Sequence, residues 1–351
     1  MIDAGFWRGR RVLVTGHTGF KGAWLTLWLH TLGAEVHGFA FPPPTTPSLF
    51  ALTRMDELVP TITGDVRALP EVQAAVDASR PEMVFHLAAQ ALVNRSLADP
   101  VGTYSVNVLG TVNLLEALRS AKHDIAAVVC VTSDKCYVNR DWEWGYREND
   151  ELGGLDPYSS SKACQELVAA SYRDSLMGRD LGVATARAGN VIGGGDWAEQ
   201  RLVPDLMQAA VEGRAVAIRN PDSVRPWQHV LNPLSGYLCL AERLARSGRP
   251  FAEAWNFSPQ VDEARSVSWL VESIRRRWPG DLCVEEARGG NDPHEARIVK
   301  LDASKARERL GWTARWSLDM GIEAIVDWYQ AYRDGGDLRG VTIAQIEAFG
   351  R

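Results

Sequence analysis

The chain has 351 residues, 46% hydrophobic and 23% charged, a balance that supports a sizeable buried core and excludes a disordered or fibrous protein. Lys and Arg number 38 against 44 Asp and Glu, a net charge of -6, which argues against general DNA or RNA binding but leaves room for a local Arg cluster around a small anion. No apolar run approaches the roughly 20 residues that cross a bilayer. The N-terminus MIDAGFWRGRRVLV has no secretory pattern, and the five scattered cysteines form no CxxC pair, so a reduced, cytoplasmic enzyme without a metal site is expected.

Arg11-Val-Leu-Val-Thr15 reads as a buried strand running into a glycine loop. Segment 19–32 then has helical spacing, with Leu25, Trp28, Leu29 and Leu32 on one face and Gly33 at its end. Glu35-Val-His-Gly-Phe-Ala40 reads as a second strand, and Pro42, Pro43, Pro44 and Pro47 make the next stretch a loop. Strands are expected at 82–87 and 125–132, with a long helix over 101–121 between them. Asp156-Pro157 opens a second long helix over 158–176. Such alternation predicts an α/β fold, a Rossmann-type doubly wound parallel sheet with helices on both faces. Beyond about residue 190, Gly193-Gly-Gly195, Asn220-Pro221 and Asn232-Pro233 predict irregular chain with short helices, a smaller C-terminal α/β region. The expected division is 1–189 for a dinucleotide and the catalytic residues, and 190–351 mainly for substrate, with some segments returning to the sheet.

Gly16-His17-Thr18-Gly19-Phe20-Lys21-Gly22 has GxxGxxG spacing at the first strand–helix junction. Glycines there permit a tight turn and close approach of a pyrophosphate, and the helix N-terminus supplies free N–H groups. The acid expected at the end of the second strand, where it would grip the adenosine ribose, is missing: Gly38, Phe39, Ala40 and Phe41 stand there. Asp65, in Gly64-Asp65-Val66-Arg67, is placed either to contact an adenine edge or to cap the next helix.

Tyr158 and Lys162 form a YxxxK pair one helical turn apart. An ammonium beside the phenol would lower its pKa and let Tyr158 take a proton from a sugar hydroxyl. Ser133, Asp134 and Lys135 follow the 125–132 strand, at the sheet end where ligands bind in open α/β folds. Ser133 can complete a Ser–Tyr–Lys set, while Asp134 and Lys135 can act as an acid and a base or form a plain ion pair capping the strand. His86 ends a strand and reads as structural; Trp142, Trp144 and Trp197 are the tryptophans expected to reach the site.

The stretches VTGHTGFKGAWLTLWL, VFHLAAQ, TSDKCY, WGYRE, LGGLDPYSSSKAC, ARAGNVIGGGDW and RPWQHVLNPLSGYL span nearly the whole chain. In them the sequence resembles the extended branch of the short-chain dehydrogenase/reductase family. Within that branch it is similar to nucleotide-sugar 4,6-dehydratases of the CDP-glucose type, because relatives acting on dTDP-glucose or GDP-mannose usually carry Asp-Glu where this chain has Asp134-Lys135. The resemblance implies a hydro-lyase acting on CDP-D-glucose, with the 4-epimerases of the same scaffold and dehydratases of other nucleotide hexoses as alternatives. It implies NAD+ as cofactor, or NADP, at Gly16 to Gly22, Asp65, Val66, Leu87, Ala88, Ala89, Gln90, Thr132, Tyr158 and Lys162. Tyr158 would be the base for the C4 hydroxyl, Ser133 would steady O4, Lys135 would be the C5 base and Asp134 the acid for the leaving C6 hydroxyl. Asn190, Arg201, Arg219, Arg225 and His294 would hold the substrate, Arg225 at its pyrophosphate. The resemblance also implies a homodimer, or a tetramer built from it, through a four-helix bundle of the 101–121 and 158–176 helices, presenting Leu109, Val112, Leu115, Leu167 and Ala170.

Overall fold

A computed structural model describes residues 2–177, 181–286 and 296–351. Its centre is a seven-stranded sheet: β1 (Arg11–Thr15), β2 (Glu35–Ala40), β3 (Thr61–Thr63), β4 (Met83–His86), β5 (Ala127–Val131), β6 (Gly182–Arg187) and β7 (Ala254–Asn256). The spatial order is β7-β6-β5-β4-β1-β2-β3, and every pairing is parallel. The order reverses between β1 and β4, so a crevice opens at the carboxyl ends of those two strands.

Period-two alternation divides the core. Val12 and Val14 of β1 and Val129 of β5 face one layer, while Leu13 and Val128 face the other. The Leu13 side is covered by α2 (Leu69–Ser79), α3 and α4 (Pro157–Ser171). Helix α3 runs as an α-turn over Pro100–Tyr104, a π segment over Ser105–Leu109 and an α-helix over Gly110–Arg119. The Val12 side is covered by α1 (Phe20–Thr31) and by helices from the C-terminal half: α5 (Leu202–Glu212), α6 (Leu231–Ser247), α7 (Val267–Arg277), α8 (Leu318–Arg333) and α9 (Leu338–Gly350).

Two expectations are corrected. Helix α1 is buried continuously from Gly22 to Leu29 rather than along one face. A second layer explains it: α9 packs on its outer side, with Trp28 and Phe349 edge to face at 5.5 Å. The C-terminal half is not irregular chain with short helices, since α6 has 17 residues and α8 has 16. Asn232-Pro233, read as a break, lies in the first turn of α6, where the missing proline N–H has no helical acceptor to lose. Strand β7, from this half, completes the main sheet beside β6. Among the described residues, no helix is long and apolar enough to cross a membrane.

Among the described residues, three histidines are buried without charge. His86 bonds Thr15 Oγ1 through Nδ1 (2.7 Å) and Thr111 Oγ1 through Nε2 (3.1 Å), and His17 and His229 are fully enclosed. Burial lowers their pKa to about 3 for His86, about 4 for His17 and about 3 for His229. Below the ordinary histidine range the unfolded chain takes up protons that the folded one refuses. These groups therefore withdraw stability as pH falls from about 6.5 toward those values, by about 1.4 kcal/mol per pH unit for each. Urea midpoints measured from about pH 7 to about pH 4.5 are expected to fall, and His86→Gln to reduce that slope by about one proton.

Candidate active site

The glycine loop is shaped by contacts that exclude side chains. Gly16 has φ +73°, and a Cβ there would stand 2.6 Å from the Ala88 nitrogen; a Cβ on Gly22 would stand 2.1 Å from the Gly16 carbonyl oxygen. Gly19 is the N-cap of α1 and offers no side chain to its first N–H groups, which leaves the positive end of the helix to receive an anion. This uncapped terminus at the sheet's crevice fits a dinucleotide pyrophosphate. Thr18 Oγ1 donates to the Phe41 carbonyl (2.9 Å), tying the loop to the end of β2. No acid stands at that end; instead the His17 ring lies across Gly38, where a Cβ would meet it at 2.2 Å, and its Nε2 pairs with Thr61 Oγ1 at 3.0 Å.

Asp65 does not cap α2, whose N-cap is Ala68. Its carboxylate is taken by Arg67, 2.6 Å from Nη2, so an adenine edge would have to compete with that pair. Burial opposes the charge on Asp65, but the Arg67 hydrogen bonds outweigh it and hold the carboxyl below its ordinary range. The Val66 carbonyl accepts from Asn113 Nδ2 (2.9 Å), which ties this turn to α3. Leu87, Ala88, Ala89 and Gln90 leave β4 half-buried beside the glycine loop. Asn107, which sequence reading passed over, holds them there: its Oδ1 accepts from the Gln90 N–H (2.8 Å), and its Nδ2 donates to the Gln90 carbonyl (3.0 Å) and to Ser161 Oγ (2.8 Å). It sits in the π segment of α3, and its one sequence signal is an amide amid an apolar helix.

At the end of β5, Asp134–Cys136 forms one 3-10 turn capped by Ser133. Ser133 Oγ donates to Asp134 Oδ1 (3.0 Å) and accepts from the Lys135 N–H (3.2 Å). Across the cleft, Asp156 caps α4 by accepting from the Ser159 N–H (2.9 Å), and Tyr158 falls in the first turn with its phenol near Ser133. Asp134 is buried and Lys135 half-buried, and among the described residues the two form no ion pair. Asp134 depends on Gly189: a Cβ there would fall 1.7 Å from Oδ2. Gly189→Ala is therefore expected to displace the carboxylate and lower kcat by about 10²-fold with an unchanged circular dichroism spectrum, as steady-state kinetics would record.

The Lys162 ammonium lies over the Tyr158 ring, but its hydrogen bonds go elsewhere. Lys162 Nζ donates to Gln165 Oε1 (2.7 Å) and to the Val131 carbonyl (3.4 Å), and stands 5.9 Å from the Tyr158 ring centroid. Burial is the reason both groups favour neutrality: it lifts the Tyr158 phenol to about 12, against the Ser133 hydrogen bond and the Arg201 charge. It brings Lys162 down to about 7, helped by the neighbouring charge of Lys21. Lys21, inside the glycine loop, is itself drawn down to about 8 by burial and by Arg201, with Asp134 and Asp196 opposing.

Ser133, Asp134, Tyr158, Lys162, Lys21 and Arg201 thus share one charged neighbourhood. Arg201 is anchored by Asp196, 3.3 Å away. Asn190 follows Gly189 with φ +45° and is half-buried. Arg225 is buried, its guanidinium on the carbonyls of Val224 (3.0 Å), Arg297 (3.2 Å) and Ala296, where it braces a neighbouring segment. Arg219 is exposed beyond a short strand, Val216–Ile218, and His294 lies outside the described residues. Trp197 packs into an aromatic cluster with Trp328, Tyr329 and Tyr332, and Trp144 is exposed.

A family profile described as GDP-mannose 4,6 dehydratase matches residues 13–325. The chain belongs to the GDP-mannose 4,6-dehydratase family. Within it, the chain is 50% identical over 344 residues to a CDP-glucose 4,6-dehydratase from Salmonella typhimurium, covering 96% of this chain and 95% of that protein. Two solved structures share the fold at 22% identity. A dTDP-glucose 4,6-dehydratase from Streptomyces venezuelae with NAD bound has a TM-score of 0.78, covering 94% of this chain and 99% of that one. A UDP-glucose-4-epimerase from Stenotrophomonas maltophila, also with NAD bound, has a TM-score of 0.81, covering 93% and 100%. The scaffold is therefore common to dehydratases and epimerases, and the family match together with the 50% identical relative favours the dehydratase.

Proposed function

We propose that the chain converts CDP-D-glucose to CDP-4-dehydro-6-deoxy-D-glucose and water, with NAD+ regenerated in each cycle. The observation that carries this reading is the single turn that presents Ser133, Asp134 and Lys135 opposite Tyr158. A 4-epimerase needs the serine and the tyrosine but has no use for an additional acid and base. The 50% identity to a CDP-glucose enzyme supports the choice of nucleotide.

Bound at Gly16, Gly19, Gly22 and Lys162, NAD would supply the hydride acceptor for C4 and the donor for C6. Tyr158 takes the proton of the C4 hydroxyl, and Ser133 steadies O4 as it becomes a carbonyl. That carbonyl acidifies C5, whose proton passes to Lys135. Asp134 gives its proton to the leaving C6 hydroxyl, water departs, and as C6 receives hydride the proton on Lys135 returns to C5. Residues 1–189 carry this chemistry, while Asn190 and Arg201 from 190–351 would meet the nucleotide; Arg225, its guanidinium bonded to main-chain carbonyls, would brace that side, and Arg219 and His294 are further candidates for the substrate. A cytoplasmic setting suits a nucleotide-sugar substrate.

A homodimer through α3 and α4 also belongs to this reading. Val101 is 76% exposed, Leu109 47% and Leu167 60%, an apolar stripe along both helices. Leu115, expected in the stripe, is fully buried against the sheet and does not contribute. Light scattering at micromolar concentration should give a dimer mass or a multiple of it.

The function is tested by mass spectrometry of CDP-D-glucose, dTDP-glucose and GDP-mannose, each incubated with the protein and NAD+. Loss of one water from the CDP sugar alone is the expected result. An isomer of unchanged mass would identify an epimerase, and silence on all three sugars would overturn the reading.

A further inference from the structure

We infer that the buried Glu166–Arg187 ion pair is the mount of the catalytic turn, gripping the chain on both sides of Ser133, Asp134 and Lys135 and so setting their alignment without touching substrate. Glu166 and Arg187 are positioning residues in this account. They meet at 2.8 Å, each side chain only 3% exposed.

The connections run to opposite ends of one short segment. Glu166, on α4 one turn beyond Lys162, accepts from the Thr132 hydroxyl through Oε1 and from the Thr185 hydroxyl through Oε2 (2.6 Å). Thr132 is the residue immediately before Ser133. Arg187, at the end of β6, donates through Nη1 to Tyr137 Oη (2.7 Å) and to the Glu148 carbonyl (3.1 Å), with its guanidinium 4.9 Å from the centre of the Tyr137 ring. Tyr137 is the residue immediately after Cys136, and its hydroxyl donates onward to Asn256 Oδ1 of β7 (2.7 Å). The turn thus begins on the carboxylate and ends on the guanidinium of the same pair.

Stability alone does not account for such a pair. Taking two charges out of water costs several kcal/mol per ion, and well-packed apolar residues of the same volume often stabilise a core equally well. What apolar residues lack is direction. The pair supplies hydrogen bonds to named atoms on β6 and on the residues that flank the turn, Thr132 and Tyr137, and a displacement of about 1 Å at a reacting group can cost about 10²-fold in rate. The inference rests on the dehydratase reading only for the step it names; the placement of the turn can be measured without substrate.

Tyr137→Phe removes one grip and leaves Arg187 its bonds to Glu166 and Glu148, and Glu166→Gln weakens the other. In hydrogen–deuterium exchange on the ligand-free protein, Tyr137→Phe is expected to speed exchange of the Lys135 and Cys136 amides about 10-fold while the amides of β1 and β4 stay unchanged. With CDP-D-glucose, kcat is expected to fall about 10- to 100-fold with KM within about 2-fold of the parent. Glu166→Gln should show the same pattern in any fraction that folds. Unchanged exchange in the turn together with unchanged kcat in Tyr137→Phe would overturn the inference, as would a loss of global stability with no effect confined to the turn. If CDP-D-glucose is not turned over by the parent protein, the exchange result still decides the mount while the functional reading fails.

Discussion

Replacing Tyr158 by Phe is expected to lower kcat by about 10³-fold while leaving the fold and the binding of CDP-D-glucose intact, because a positioned proton acceptor contributes about 10²- to 10⁴-fold. The substitution removes one oxygen. That oxygen is buried near Ser133, and Ser133 keeps its own bonds to Asp134 and to the Lys135 N–H when the oxygen is removed. No buried partner is therefore left without a hydrogen bond, and the thermal midpoint should move little. The ligand-free phenol, lifted to about 12 by burial, holds its proton at neutral pH. As the deprotonated form is the active one, kcat/KM should rise with pH and show no plateau up to about pH 9, since that ratio reports the free enzyme. Tyr158→Phe should flatten this basic limb. Turnover of the Phe variant within about 10-fold of the parent, with the limb preserved, would assign the base elsewhere.

The parts of this site legible in the sequence are those set by local geometry. The glycine loop was legible because only glycine tolerates a backbone contact such as that between Gly16 and Ala88, and the run from Arg11 to Thr15 because a strand buried on both faces is continuously apolar. The pair Tyr158 and Lys162 was legible as two residues on one helix face, but not what the lysine bonds. Gln165 lies three residues on, and the Val131 carbonyl arrives from another strand. Glu166 illustrates the same limit. Four residues beyond Lys162, local spacing would pair the two, yet β6 brings Arg187 to the carboxylate instead. That a guanidinium suits phosphate is all the sequence says of Arg225, and its buried bonds to main-chain carbonyls depend on a segment some 70 residues away in sequence. The length of the helices after residue 190 is not legible, because Asn232-Pro233 has the same appearance at the start of a helix as in a break.

Replacing Lys135 by Met is expected to separate the two halves of the reaction. Methionine keeps the length and lack of branching of the stem, with sulfur in place of the δ-carbon, and lacks the amine, while the residue's backbone N–H remains held by Ser133 Oγ at 3.2 Å. Tyr158, Ser133 and Lys162 are untouched, so oxidation at C4 should still proceed. Removal of the C5 proton should not, and kcat for loss of water is expected to fall by about 10²- to 10³-fold. The keto sugar then has only the reverse path, and rapid quenching should trap CDP-4-ketoglucose at a level approaching one equivalent of enzyme. Solvent isotope gives a second readout. Product formed by the parent protein in D2O should carry deuterium at C5, whereas CDP-glucose recovered from the variant should carry none. Asp134→Asn should differ from Lys135→Met: with the base intact and the acid lost, recovered sugar should exchange at C5 without losing water. Normal turnover by Lys135→Met, with deuterium still entering at C5, would move the base to another group in the cleft, and Lys21, drawn down to about 8 by burial, is the next amine to replace.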